Sequence, residues 1–137
     1  MTEGTMIRSI GIDVTRVERF KESAADEVFL DRLLTDVERR CVLAAPEPQR
    51  QRRCAEVFAA KEAVMKALGT GWNHGVGWKD IEIARAGSGF DVKLNDAALA
   101  FTKGARLHLS LSSTKDVAAA LAIAEKTDEL PDNNPSL

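Results

Sequence analysis

Val57-Phe58-Ala59-Ala60-Lys61-Glu62-Ala63-Val64-Met65-Lys66-Ala67-Leu68 runs directly into Gly69-Thr70-Gly71. Its Ala, Leu, Met, Lys and Glu residues are good helix formers. The two glycines that follow end a helix and let backbone approach closely. At about 100° per residue, Val57, Ala60, Val64, Ala67 and Leu68 share one stripe, with Glu62 and Lys66 roughly opposite it and one turn apart. By spacing alone Glu62 and Lys66 form a surface pair that contributes little. Phe58, Ala59, Ala63 and Met65 argue otherwise, because they make the helix apolar nearly all round, and such helices are buried. A charged pair on a buried helix needs a partner. A lysine one turn before a Gly-x-Gly end also sets an ammonium beside exposed backbone N–H groups, as in phosphate sites.

Upstream, Met6 to Val14 reads as a strand in which Ile10, Ile12 and Val14 alternate with Gly11 and Asp13. A period of two turns Asp13 away from the face expected to bury Ile12 and Val14. Asp13 is then either a turn or cap residue or a carboxylate held on a rigid element for a metal. Thr15 to Ala25 reads as a helix with Val17 and Phe20 inward and Arg16, Glu18, Arg19 and Lys21 outward. Asp26 to Leu34 reads as a second short helix. Thr35-Asp36-Val37-Glu38 matches a capping box for a third that runs to about Ala45. Pro46 and Pro48 break it, and Gln49 to Leu68 is the long central helix, whose first turns carry Arg50, Arg52 and Arg53.

Downstream, Trp72 to Trp78 reads as a loop. Asp80 to Ala84 and Phe90 to Leu94 read as strands joined through Gly87-Ser88-Gly89. Asn95 caps a helix through Phe101. Leu107, Leu109 and Leu111 alternate with His108, Ser110 and Ser112 as a half-buried strand; Ser113 to Asp116 turns, and Val117 to Ala124 returns. The order of strand, helices, hairpin, helix and hairpin is that of an α+β fold with a largely antiparallel sheet. Without strand-helix-strand alternation or GxGxxG, a dinucleotide fold is excluded.

The 137 residues suffice for one domain, expected over 1–126, with 127–137 as a polar, disordered tail. A net charge of −2 supplies no basic field for nucleic acid, and seven aromatics without tyrosine supply no base-stacking platform. No apolar run approaches the length of a membrane span, and no secretory signal is expected at the start. Cys41 and Cys54 lack CxxC spacing and read as reduced core thiols of a cytoplasmic protein. His74 and His108 read as an ordinary loop and an ordinary strand histidine.

Gly11-Ile12-Asp13, Phe58-Ala59-Ala60-Lys61-Glu62-Ala63-x-x-Lys66-Ala67-x-Gly69-Thr70-Gly71, Trp78-Lys79-Asp80-Ile81-Glu82-Ile83 and Leu109-Ser110-Leu111-Ser112 before Ala118-Ala119-Ala120 occur in that order. Together they resemble the holo-[acyl-carrier-protein] synthase family, the small 4'-phosphopantetheinyl transferases, over roughly residues 6 to 125. The long motif is specific; Gly-Ile-Asp alone is not. The resemblance implies an enzyme that moves the phosphopantetheine arm from coenzyme A to a serine of an acyl carrier protein, releasing adenosine 3',5'-bisphosphate. It implies the family's α+β fold around the central helix, assembled as a homotrimer with coenzyme A at each subunit interface. It places Mg²⁺ on Asp13 and Glu62, phosphate contacts at Lys66, Gly69, Thr70 and Gly71, and carrier contacts at Arg19, with Arg16 and Phe29 beside it.

The chemistry agrees. Phosphoryl transfer depends on positioning and charge neutralisation. Mg²⁺ takes one or two carboxylates plus phosphates and waters. Glu62, directly or through a water, suits the general base, and Lys66 suits neutralisation of the transferring phosphate. Val57 stands where the family often has arginine, and Arg53, one turn earlier, is the candidate replacement. Ser113 stands for a histidine, with Thr114 retained beside it, and both are expected to touch coenzyme A. Ser88-Gly89-Phe90 stands where Gly-Lys-Pro is frequent, and Ala24-Ala25-Asp26-Glu27-Val28 replaces an arginine-rich run before Phe29. The second reading, prompted by these departures, is a degenerate trimeric binding or scaffold protein of the same fold; the survival of Asp13, Glu62 and Lys66 argues against it. The carrier, of fatty-acid or polyketide synthesis, is left open.

Overall fold

The computed structural model describes residues 4–70 and 75–128. Three antiparallel strands, β1 (Gly4–Arg16), β4 (Arg106–Ser113) and β5 (Val117–Asp128), form a sheet in the order β1-β5-β4. Helix α3 (Gln49–Leu68) crosses one face of it. On the far side of α3 lie α1 (Glu27–Leu33), α2 (Asp36–Leu43) and the hairpin β2 (Ile81–Ala86)–β3 (Gly89–Leu94), followed by the one-turn helix α4 (Asp96–Leu99). The central helix is therefore buried on both sides: Phe58, Ala59, Ala60, Lys61, Ala63, Val64, Met65 and Ala67 are all in the interior, as its all-round apolar character predicts.

Small residues let the helix and sheet meet. Ala118, Ala120, Ala122 and Ala124 of β5 point toward α3 and are buried, flanked by the partly buried Leu107, Leu109 and Leu111 of β4. In β1 the inward positions are Ser9, Gly11, Asp13 and Thr15. A Cβ on Gly11 would lie 1.9 Å from the Ala63 carbonyl oxygen and 2.6 Å from the Ala67 amide nitrogen. Only glycine fits there. Gly11→Ala is accordingly expected to destabilise the fold toward the top of the roughly 1–3 kcal/mol range for overpacking, read as a lower urea midpoint.

The helix stops where expected. Gly69 adopts φ 72°, its N–H bonding to the Lys66 carbonyl, and the Thr70 N–H reaches the Met65 carbonyl at 3.0 Å. The Thr35–Glu38 capping box is present at α2, and Asp26 caps α1 by accepting from the Val28 and Phe29 N–H groups.

Several expectations are corrected. Ile12 and Val14 do not face the core: they are 60% and 64% exposed, with Ile10 at 55%. Close approach of α3 demands the small residues on its side, so the bulky members of the alternation are turned outward. Thr15 to Ala25 is not one helix. β1 continues through Arg16, paired with Val117, and is followed by short 3-10 turns at Val17–Phe20 and Ser23–Ala25; strand pairing outweighs the local helical pattern, although Val17 and Phe20 are inward as expected. Cys54 is buried, and burial pushes its thiol up to about 12, but Cys41 is exposed. β5 extends through Asp128, two residues past the expected domain end, and the rest of the tail, like Gly71 and His74, lies outside the described residues. The other histidine, His108, projects outward from β4 beside Glu125 at 3.3 Å.

Candidate active site

β1 packs against the C-terminal half of α3. Ser9 bonds the Ala67 carbonyl, Gly11 abuts Ala63, Lys66 and Ala67, and Asp13 meets Lys66. The Lys66 ammonium donates to the Ile12 carbonyl at 2.9 Å and to Asp13 Oδ1 at 3.2 Å. Asp13 Oδ2 accepts from the Thr15 hydroxyl at 2.6 Å. The Asp13 side chain is 16% exposed and that of Lys66 55%, so the pair sits at the surface and not in the core. Glu62 lies one turn before Lys66 on the same helix, half-buried, with Oε2 3.4 Å from the Trp78 indole nitrogen. The strand-on-helix packing thus seats the Lys66 ammonium on a carboxylate fifty-three positions away in the sequence, with Glu62 one turn along the same helix.

This donor set suits a hard divalent cation. Asp13 already holds a cationic group, and both carboxylates supply oxygen ligands. No cluster of three or more His, Cys, Asp or Glu exists among the described residues, so a metal here would take its remaining ligands from phosphate oxygens and water, as Mg²⁺ does.

Beside Glu62 lies an aromatic group. Phe58 contacts Phe20 and Trp78 at ring separations of 5.4 and 5.7 Å, and Phe29 contacts Phe20 and Trp78 at 6.0 and 6.2 Å. Arg19 is exposed, and its guanidinium covers the Phe58 ring at 4.7 Å. Arg19 and Phe29, from separate elements, are therefore brought to the same rim. Arg16 is exposed at the end of β1. The acids Asp26 and Glu27 have structural work, as the α1 cap and as the partner of Arg39.

Arg53 is not at this centre. Its Nη1 donates to the Cys41 carbonyl at 2.6 Å, tying α3 to α2. Its neighbour Arg52 instead reaches the β4–β5 turn, donating to Ser113 Oγ and to the Ser113 carbonyl, both at 2.8 Å, while Ser113 Oγ donates to Glu56 at 2.7 Å. The Thr114 hydroxyl accepts from the Asp116 and Val117 N–H groups at 3.1 Å. Ten residues of α3 separate Arg52 from Glu62, about 15 Å of helix, so within one chain Ser113 and Thr114 form a second cluster.

Sequence reasoning missed Lys61 as a site-supporting residue. Its side chain is wholly buried, pairs with Glu38 at 2.6 Å, and donates to the Leu33 and Trp78 carbonyls at 2.7 and 2.9 Å. Burial lowers its pKa, partly offset by Glu38. A lysine following the apolar run Val57-Phe58-Ala59-Ala60, on a helix apolar nearly all round, was the available signal.

The family model of the 4'-phosphopantetheinyl transferase superfamily matches residues 9–122. The chain is 42% identical over 126 residues to holo-[acyl-carrier-protein] synthase of Salinispora arenicola, covering 88% of this chain and 100% of the relative. It is 35% identical to that of Geobacillus over 88% of this chain and 98% of the relative. The chain belongs to the holo-[acyl-carrier-protein] synthase family of 4'-phosphopantetheinyl transferases. The synthase of Neisseria meningitidis superimposes with a TM-score of 0.77 at 31% identity, covering 88% of this chain and 100% of that one. That of Bacillus anthracis, solved in complex with coenzyme A (3',5'-ADP), gives 0.75 at 31% identity, covering 88% and 97%. The α+β fold with antiparallel sheets expected from the sequence is that of these synthases. The enzyme class read from the sequence is that of this family.

Proposed function

We propose that the chain transfers the 4'-phosphopantetheine arm from coenzyme A to a serine of an apo acyl carrier protein in a Mg²⁺-dependent reaction in the cytoplasm. The carrying observation is the Lys66 ammonium seated on the Asp13 carboxylate one turn from Glu62. Asp13 and Glu62 would hold the metal, whose charge would offset that of the pyrophosphate. Lys66 would lie against the transferring phosphate, and Gly69, Thr70 and Gly71 would continue the phosphate site beyond the helix end. Glu62 would take the serine proton. The serine oxygen then forms its bond to the β-phosphorus, the bridging P–O bond breaks, and its electron pair leaves with adenosine 3',5'-bisphosphate. Incubating the chain with coenzyme A, Mg²⁺ and an apo carrier should add the arm to the carrier, read by intact mass. Trimer formation without any mass gain would favour the scaffold reading.

The outer sheet face supports assembly as a homotrimer. Ile10, Ile12 and Val14 of β1 stand opposite Ile123, Leu121 and Ala119 of β5 and are more than half exposed. An apolar strip of this kind marks an interface, and a second copy carries the matching strip. Assembly would also explain the two clusters, with Ser113 and Thr114 of one subunit completing the coenzyme A site of another, and Arg52 in place of Arg53 at that turn. Ile12→Asp is expected to yield a folded monomer with turnover reduced at least tenfold, an estimate from the share of the site each neighbour would supply. Light scattering showing an active wild-type monomer at micromolar concentration would count decisively against an interface site.

For carrier docking we propose Arg16, Arg19 and Phe29. Arg19→Glu should lower kcat/KM for the carrier roughly tenfold at low salt and less at high salt, since rim charges act mainly on encounter. Coenzyme A affinity, by calorimetry, should change little. An equal loss of coenzyme A affinity would move docking elsewhere.

A further inference from the structure

Glu62 and Lys61 are neighbours on α3 that point to opposite surroundings, and Trp78 meets both. An indole nitrogen is a donor only, so the 3.4 Å contact between Trp78 Nε1 and Glu62 Oε2 is an N–H donated to the carboxylate. The ring bearing that N–H is wedged between Phe29 and Phe58, edge to face, at 6.2 and 5.7 Å. The backbone bearing the ring is tied down as well. The Trp78 carbonyl accepts from the Lys61 ammonium at 2.9 Å, and that ammonium is held by Glu38 and by the Leu33 carbonyl. Glu38 is itself fixed by the Thr35 N–H at 2.8 Å and the Ile83 N–H at 2.7 Å. A continuous set of contacts thus runs from the α2 cap and β2, through a buried ion pair, to the half-buried Glu62 carboxylate.

We propose that Trp78 is a positioning residue for Glu62. Its indole N–H sets the orientation of the carboxylate one helical turn from Lys66, so this oxygen ligand is arranged before metal and coenzyme A arrive. Phenylalanine would keep an aromatic ring at this position without the donor. The inference rests on the reading of Glu62 as a metal carboxylate given above. Groups that orient a ligand in this way commonly govern metal affinity as well as rate.

The test reads the contact and its consequence separately. Trp72 and Trp78 are the two tryptophans, so the full chain labelled with ¹⁵N shows two indole resonances, and Trp72→Phe assigns them. With no metal present, Glu62→Gln is expected to move the Trp78 indole proton upfield, because a neutral amide oxygen accepts more weakly than a carboxylate. An unmoved resonance overturns the contact. Trp78→Phe is expected to raise the Kd for Mg²⁺, by calorimetry with coenzyme A present, about tenfold, with KM for the carrier unchanged. A wild-type Mg²⁺ affinity in Trp78→Phe, or a loss confined to carrier KM, overturns the positioning role. The indole measurement needs neither turnover nor the Trp78 variant to fold. A wild-type chain that loads no carrier would therefore sink the proposed activity while the indole contact is still decided on its own.

Discussion

Asp13→Ala and Glu62→Ala should each cut Mg²⁺-dependent turnover by roughly 10³-fold or more, the scale set by loss of a positioned acid–base or metal-binding group. The fold should survive both. Asp13 and Glu62 are partly exposed, so truncation opens no core cavity. Asp13→Ala releases a Lys66 ammonium that is more than half exposed and can turn to water. Glu62→Ala frees one indole N–H, at modest cost. Circular dichroism and turnover are to be read together, and near-wild-type activity in either variant with a native spectrum would rule out a two-carboxylate site. Lys66→Ala should lose rate as well while keeping the Mg²⁺ requirement, since it removes a charge beside the phosphate and no metal ligand.

The largest stability effect is expected at the buried Glu38–Lys61 pair. Both side chains are inaccessible, at 1% and 0% exposure. Lys61→Met would leave the Glu38 carboxylate buried without its counter-charge, and it would strip the Leu33 and Trp78 carbonyls of their donor. Breaking a buried pair from one side costs about 3–5 kcal/mol, enough to remove a large part of the stability of a domain this size. Glu38→Gln should cost a similar amount, and the double variant less than the sum, because the second change no longer leaves a lone charge. Equilibrium urea unfolding of the three variants measures this, and strict additivity would contradict the pairing. The pair also predicts a pH dependence. Burial holds Lys61 below its ordinary 10.5. Between its folded value and 10.5 the unfolded chain binds the proton and the folded chain does not, so the contribution of Lys61 to stability rises with pH across that window. The difference between wild type and Lys61→Met should show this slope.

The sequence by itself determined the central helix, its left-handed glycine stop, the Thr35 capping box, the antiparallel hairpins and the family. Each of these rests on signals local in sequence: helix propensity, a cap motif, turn residues and a contiguous motif around Glu62. Asp13 and Lys66 were also legible as candidate site residues, though nothing in their spacing required them to touch. Tertiary structure decided that contact, because it depends on β1 lying against α3 at Gly11, where only the absence of a Cβ lets the strand approach. The same packing decided which face of β1 is buried. Alternation specifies that two faces differ but not which one meets the helix, and the close approach selected Gly11, Asp13 and Thr15 over Ile12 and Val14. Lys61, Arg52 and Trp78 were hidden for a related reason: a side chain's partner is set by which elements converge on it. Lys61 finds Glu38 twenty-three positions away, Arg52 finds Ser113 sixty-one away, and Trp78 finds Glu62 sixteen away. Such distances carry no periodic signal, and only the folded chain closes them.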